Sequence, residues 1–422
     1  MSTSDAHRAI EAVWRIEAAR LIAGLTRIVR DVGLAEELAQ DALVVALEKW
    51  PESGIPDNPG AWLMATAKHR ALDHFRRNKL LERKHEELGR ELKSQQESAL
   101  ANFDISEQGE IEDDLLRLVF ISCHPILSTE ARVALTLRLL GGLTTVEIAR
   151  AFLTPEPTIA QRIVRAKRIL SEARVPFEVP AANERAARLS SVIEVIYLIF
   201  NEGYSATSGN DWMRPELCGE ALRLGRILAE LTPNEAEVHA LVALMEIQAS
   251  RFGARTTPTG EPILLLEQNR ALWDQLLIRR GLAALDRALQ AGAAGSYVLQ
   301  AAIAACHARA HTAEETDWPQ IADLYAQLAA LTPSPIVQLN RAVAVAMASG
   351  PAAGLELVAS LAAEPSLKNY HLLPAVRGDF LSKLGRFEEA REEFARAATL
   401  TKNARERELL LDRARKASSG TV

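Results

Sequence analysis

Ile10, Val13, Trp14, Ala18, Leu21, Leu25 and Ile28 keep the three- and four-residue spacing of one helix face. Gly33 is expected to break that helix before a second apolar stripe, Leu34, Leu38, Ala42 and Val45, which runs beside Glu36, Glu37, Gln40 and Asp41. Residues 51–60 are dense in Pro, Gly, Asp and Asn and predict a loop. Asn58-Pro59 leads from it into a helix where Trp62, Leu63, Ala67, Ala71, Leu72 and Phe75 interleave with Lys68, His69, Arg70, His74, Arg76 and Arg77. From 78 to 114 apolar residues thin out and Lys, Glu, Gln and Ser crowd together, the pattern of a linker. Order is expected to resume at Leu115 and to continue to about residue 175, where Pro176 and Pro180 close the unit.

Within that unit, Gly142 to Lys167 reads as two short helices joined by a tight turn. Thr144 and Glu147 have the spacing of a capping box, with Ile148, Ala149 and Phe152 as the buried side and a stop near Leu153. Thr154-Pro155 is a second start signal. Ile159, Ile163, Ala166 and Leu170 then share one helix face, while Thr158, Gln161, Arg162, Arg165 and Arg168 share the other. That is the build of a helix-turn-helix, whose polar face matches base edges and phosphates in a major groove. Any two-helix hairpin with a solvated basic face would share the pattern.

Composition narrows the setting. At 422 residues, with 48% hydrophobic and 25% charged residues, the chain is a globular protein of two or three domains, and only 5% aromatic content favours an all-α fold. A net charge of −6 disfavours a protein that coats nucleic acid by bulk charge, so a DNA reader here needs localised basic faces. The N-terminus lacks a signal-peptide core, and no run of about eighteen apolar residues marks a membrane span, so a cytoplasmic protein with no membrane contact is expected. Cys123, Cys218 and Cys306 are far apart and form no CxxC pair, which supplies neither a disulfide framework nor a zinc framework.

Three of these signals, in this order, resemble the sigma-70 family of transcription factors, specifically the two-domain extracytoplasmic-function type. Ala35 to Leu43, AEELAQDAL, is similar to the family's region 2.2; Ala61 to Arg77 is similar to regions 2.3 and 2.4; Glu130 to Lys167 is similar to region 4. The resemblance implies a multidomain all-α protein with region 2 as a helical bundle over 1–80, a linker over 81–113 and region 4 over 114–176. It implies core RNA polymerase as a partner, through the β′ clamp helices and the β flap, with Glu36, Glu37, Gln40 and Asp41 as the docking residues. Promoter DNA would be opened and read at −10 by Asn58, Trp62, Lys68, Arg70, Arg76 and Arg77, and read at −35 by Thr158, Gln161, Arg162, Arg165 and Arg168. No cofactor, metal or catalysis by this chain is required. Departures are Leu43 where Phe is common, His69 for Asn, Leu153 for the turn Gly and Ala160 for a frequent Lys. An operator-binding helix-turn-helix regulator that does not dock on polymerase is the alternative.

More than half of the chain remains beyond region 4. Residues 181–285 read as a helical extension, similar to that of a sigma-factor subgroup with a long C-terminal region. A loose repeat then links LAELTP at Leu228, LAALTP at Leu328 and AATLTK at Ala397, separated by roughly three and two units of about 34 residues, the tetratricopeptide length. Gly378, Leu381, Leu384-Gly385-Arg386, Ala390, Phe394 and Ala397 match the packing positions of such a unit, with Arg377 and Lys402 as departures. Residues 286–418 are therefore expected to form tetratricopeptide-like helix pairs that hold a protein or peptide partner, against the simpler reading of a bundle without a groove. Cys306, His307 and His311 are the best metal constellation, weakened by the missing acidic ligand; Glu202, Tyr204 and Asp211 could line a small polar site.

Overall fold

The computed structural model describes residues 3–82, 108–152, 154–206, 208–209, 212–292 and 295–418. The chain folds as two compact units, Met1–Leu198 and Ile199–Val422.

In the first unit, α1 (Thr3–Val29) packs on α2 (Val32–Ser53) and α3 (Pro59–Glu82), and α4 (Gln108–Ser122) lies against α1. α5 (Thr129–Leu139), α6 (Thr145–Ala151) and α7 (Glu156–Glu172) follow, and α8 (Ala182–Tyr204) begins the next segment. The break after α1 falls two residues before the expected Gly33. Arg30 takes a left-handed φ of 56°, and Asp31 N-caps α2 by accepting from the Leu34 amide at 2.8 Å, so Gly33 sits inside the first turn of α2. α2 also runs through Pro51 to Ser53 before Gly54, at φ 82°, ends it. α3 extends past Arg77 to Glu82, and α4 starts well upstream of Leu115, so the expected linker is shorter at both ends. The rest of that linker, 83–107, lies outside the described residues. Leu25, Leu63, Leu118, Phe120, Leu135 and Leu139 fill the core of this unit.

The second unit contains α9 (Pro215–Leu231), α10 (Ala236–Ala249), α11 (Gln275–Gln290), α12 (Ser296–Arg309), α13 (Trp318–Leu331), α14 (Pro335–Ser349), α15 (Pro351–Leu361), α16 (Leu372–Lys383), α17 (Phe387–Leu400) and α18 (Ala404–Ser418). Helices adjacent in sequence pack as neighbours. The described strands are two residues each, β1 (Ser208–Gly209) and β2 (Lys402–Asn403), paired in parallel, so the protein is all-α.

The three sequence repeats have one structural meaning. Leu231, Leu331 and Leu400 each end a helix, and the following Thr232, Thr332 and Thr401 amides close the last turn onto Leu228, Leu328 and Ala397 carbonyls at 2.9, 2.8 and 3.2 Å. In the last pair, Leu381, Ala390, Phe394 and Ala397 share a buried cluster. Leu384 does not pack there: it caps α16 and is 39% exposed.

Candidate promoter and polymerase interface

The helix-turn-helix is built as its spacing predicts. Thr144 Oγ1 accepts from the Glu147 amide at 3.2 Å while Glu147 Oε2 accepts from the Thr144 amide at 2.7 Å, closing the capping box. Ile148, Ala149, Ile159, Ile163, Ala166 and Leu170 are buried. The start of α7 differs from expectation: Pro155 itself is the N-cap residue, without a side-chain hydrogen bond, and Pro157 occupies the first turn. Leu153 lies outside the described residues. On the outer face Gln161, Arg165 and Arg168 are exposed, Thr158 and Arg162 half-buried. Arg168 is held only loosely, 3.6 Å from Glu172. These groups stand in a row on one rigid helix, as a groove reader requires.

On α3, Trp62 is half-buried and meets the buried Trp50 edge-on, with ring centroids 5.1 Å apart. Asn58 is exposed and caps the helix, its Oδ1 accepting from the Ala61 amide at 3.0 Å. Arg70 and Arg76 are exposed and Lys68 half-buried; Arg76 lies 3.8 Å from Asp73. The side chain of Arg77 lies outside the described residues. His69 turns its Nδ1 to the Ala65 carbonyl at 2.8 Å.

The acidic stripe of α2 divides. Glu37 and Asp41 face solvent, and Gln40 is half-buried, whereas Glu36 is only 3% exposed. Glu36 Oε1 stands 2.5 Å from Arg138 Nε, its Oε2 pairs with Lys167 Nζ, and Gln40 Nε2 donates to Oε1 at 2.5 Å. Sequence reasoning missed Arg138 and Lys167, because partners so distant along the chain leave no local periodicity.

The remaining candidates separate. α12 ends at Arg309, so His311 lies beyond the helix and is exposed, while His307 is buried edge-on to Trp318 at 5.2 Å. Burial, reinforced by Arg251 and Arg270, pushes the His307 pKa down to about 3. Cys306 Sγ contacts Gln320 Oε1 at 3.2 Å. Among the described residues no group of three or more His, Cys, Asp or Glu side chains could hold a metal, and no helix is long and apolar enough to cross a membrane. Glu202 pairs with Arg214, and Tyr204 stacks on Phe200 and under the Arg255 guanidinium, 3.6 Å from the ring centroid. Asp211 lies outside the described residues.

A helical lobe with a capped Trp- and Arg-bearing helix, followed by a helix-turn-helix with an outward basic face, has the layout of a DNA-binding protein. Comparison with known proteins agrees. Sigma-70 region 2 matches residues 15–80, Sigma-70 region 4 matches residues 117–170, and a family of unknown function, DUF6596, matches residues 188–289. An uncharacterized protein of Rhizobium meliloti (strain 1021) is 44% identical over 383 residues, 90% of this chain and 89% of its own. The "Probable ECF RNA polymerase sigma factor SigI" of Mycobacterium tuberculosis is 26% identical over 42% of this chain and 60% of its own length. The "ECF RNA polymerase sigma factor SigK" of Mycobacterium sp. (strain KMS) is 29% identical over 37% of this chain and 77% of its own.

The chain belongs to the sigma-70 family, as an extracytoplasmic-function sigma factor with a long helical C-terminal extension. Its role is transcription initiation, in which a sigma factor binds core RNA polymerase and promoter DNA.

Proposed function

We propose that α2 docks on the β′ clamp helices of core polymerase through Glu37 and Asp41 together with Gln40 and Glu36, and that α5–α7 also meets the β flap. α3 opens and reads the −10 element: Arg70, Arg76, Arg77 and Lys68 hold the phosphate strand, Asn58 sets the loop, and Trp62 offers an aromatic surface to an unstacked base. α7 reads the −35 element, with Gln161 and Arg162 toward base edges and Thr158, Arg165 and Arg168 toward the backbone. The chain acts without a cofactor and without catalysis of its own, in the cytoplasm with polymerase.

The observation that carries this reading is the separation of faces on α7: Ile159, Ile163, Ala166 and Leu170 are buried, and Gln161, Arg165 and Arg168 are exposed. Joining two weak DNA readers in one chain raises the effective concentration of the second once the first is bound. Purified core polymerase mixed with the full chain should co-elute with it and give promoter-specific transcripts. Absence of both would overturn the reading.

The helices of 286–418, in tetratricopeptide-like pairs, modulate this activity or hold a protein or peptide partner. A truncation that tests this should keep all of α8. Ser191 Oγ donates to the Cys123 carbonyl at 2.7 Å and Arg188 to the Phe120 carbonyl at 3.0 Å, so a cut near residue 180 would also damage the first unit. A chain ending after Tyr204 should differ from the full chain in promoter output in cells; equal output would remove the regulatory role.

A further inference from the structure

We propose that Glu36 of α2, held by Arg138 and Lys167 of the helix-turn-helix lobe, is a buried ion-pair latch that keeps the first unit closed and must open before α2 can present its full docking face to polymerase. The docking consequence rests on the reading above. The latch itself rests on geometry.

Glu36 belongs to the helix assigned to polymerase, yet both its charge partners come from the other lobe, Arg138 on α5 at 2.5 Å and Lys167 on α7. Arg138 is fixed in turn by donating from Nη1 to the Leu143 carbonyl at 3.1 Å. Two further ties flank the latch. Arg15 on α1 reaches Glu147 at 2.9 Å, and Ser171 of α7 donates to Asp31 Oδ2 at 2.9 Å. In both, the carboxylate already caps a helix, so the tie is held by a side chain with a fixed orientation. Backbone shape is adapted as well: a Cβ at Gly33 would lie 3.0 Å from Asp31 Oδ1, 3.6 Å from Lys167 Cδ and 3.9 Å from Lys167 Cβ, so the lysine stem rests directly on α2 and a side chain there would need Asp31 to shift by a few tenths of an ångström.

A carboxylate withdrawn from water is tolerated when cations and donors surround it, and it becomes costly when one partner is lost. Opening returns Glu36, Arg138 and Lys167 to solvent, where none needs the others. The closed and open forms therefore differ by a few paired charges, which is the character of a two-state element. Closure withholds Glu36 and half of Gln40 from any partner and leaves Gln161, Arg165 and Arg168 exposed. It thus takes part of the docking face out of reach while Glu37, Asp41 and the outer face of α7 stay exposed, so closure weakens docking without covering the −35 reader. A partner that binds only the open form sees its affinity reduced by the open fraction.

A cross-link reads this directly. In the full chain carrying Gly33→Cys with Lys167→Cys, the two Cβ atoms have a separation suited to a disulfide, about 3.5–4.5 Å. Cys123, Cys218 and Cys306 are all buried, so the introduced thiols are the accessible pair. Oxidation should lower core polymerase binding by about tenfold or more, and reduction of the same sample should restore it. Separately, Arg138→Gln, or Lys167→Gln if the first does not fold, should tighten core binding. The same change should lengthen the distance between spin labels placed at exposed Glu48→Cys and Ala173→Cys. Measurable but equal core binding by the oxidised and reduced forms, or an unchanged label distance in the Gln variants, would overturn the latch. If the distance lengthens and no form, wild type included, binds core, the polymerase reading fails and the latch stands.

Discussion

Arg27 of α1 and Asp114 of α4 form a 3.0 Å ion pair, the Asp114 carboxylate almost wholly buried. The same carboxylate accepts from Arg117 at 2.6 Å. The pair ties α1 to α4, the first described helix after α3, and so fixes how α4 lies against α1. Replacing Asp114 by Ala leaves two half-buried guanidinium groups without their shared acceptor. The expected loss is about 3 kcal/mol of unfolding free energy, read by urea denaturation of the full chain through the transition of the first unit.

Glu147 gives the unit an acid-sensitive point. Burial would raise its pKa, but the Thr144 amide and hydroxyl and the Arg15 guanidinium outweigh burial and hold it below the usual carboxylate range. A carboxylate with a depressed folded-state pKa contributes stability that is complete above its unfolded value. That contribution is lost as the pH falls through the folded value. Stability of the first unit should therefore decline as the pH drops below about 4, and Glu147→Ala should both lower the plateau and flatten this decline. Melting temperatures across a pH series, wild type against variant, decide it; parallel curves would exclude Glu147 as a source.

How much of this was legible depended on distance along the chain. The capping box and the face Ile159, Ile163, Ala166, Leu170 rest on contacts within a few residues, and both could be read from spacing. Gly33 is the wrong signal for the helix break: glycine usually marks a positive φ, but here Arg30 adopts it, and the sequence signal is Asp31 ahead of Val32. α4 starts inside a polar stretch that apolar counting takes for linker. Glu36 shows the limit: its place on α2 suggests a solvated acid, and only the fold brings Arg138 and Lys167 to it.

The α16–α17 pair depends on one missing side chain. A Cβ at Gly378 would stand 3.0 Å from the Phe394 ring, and that ring is covered on another side by the Arg413 guanidinium, 4.4 Å from its centroid. The ring is fully buried and has little room to retreat. Gly378→Val should destabilise the second unit by roughly 1–3 kcal/mol through overpacking. Phe394→Ala should cost more, about 3–5 kcal/mol, by leaving a cavity. Calorimetry that places Gly378→Val at wild-type stability would mean the helices slide apart freely, and the close-packed hairpin would be the wrong description.

Gln161 and Arg165 lie on the same outer face of α7, but their chemistry predicts different losses. Both are exposed, and neither supports the core, so folding should be unaffected by substitution. On the proposed reading, Arg165→Ala removes a cation that meets the phosphate backbone. Binding of polymerase holoenzyme should weaken on all promoters alike, and the slope of log affinity against log salt should fall by about 1. Gln161→Ala removes a group suited to a base edge. It should cost about 1–3 kcal/mol on the preferred −35 sequence and little on mismatched ones, leaving the salt slope unchanged. Competition binding with a randomised −35 library at two salt concentrations separates the two effects. If Arg165→Ala altered the preferred sequence while Gln161→Ala altered only the salt slope, the orientation assigned to α7 in the groove would be reversed.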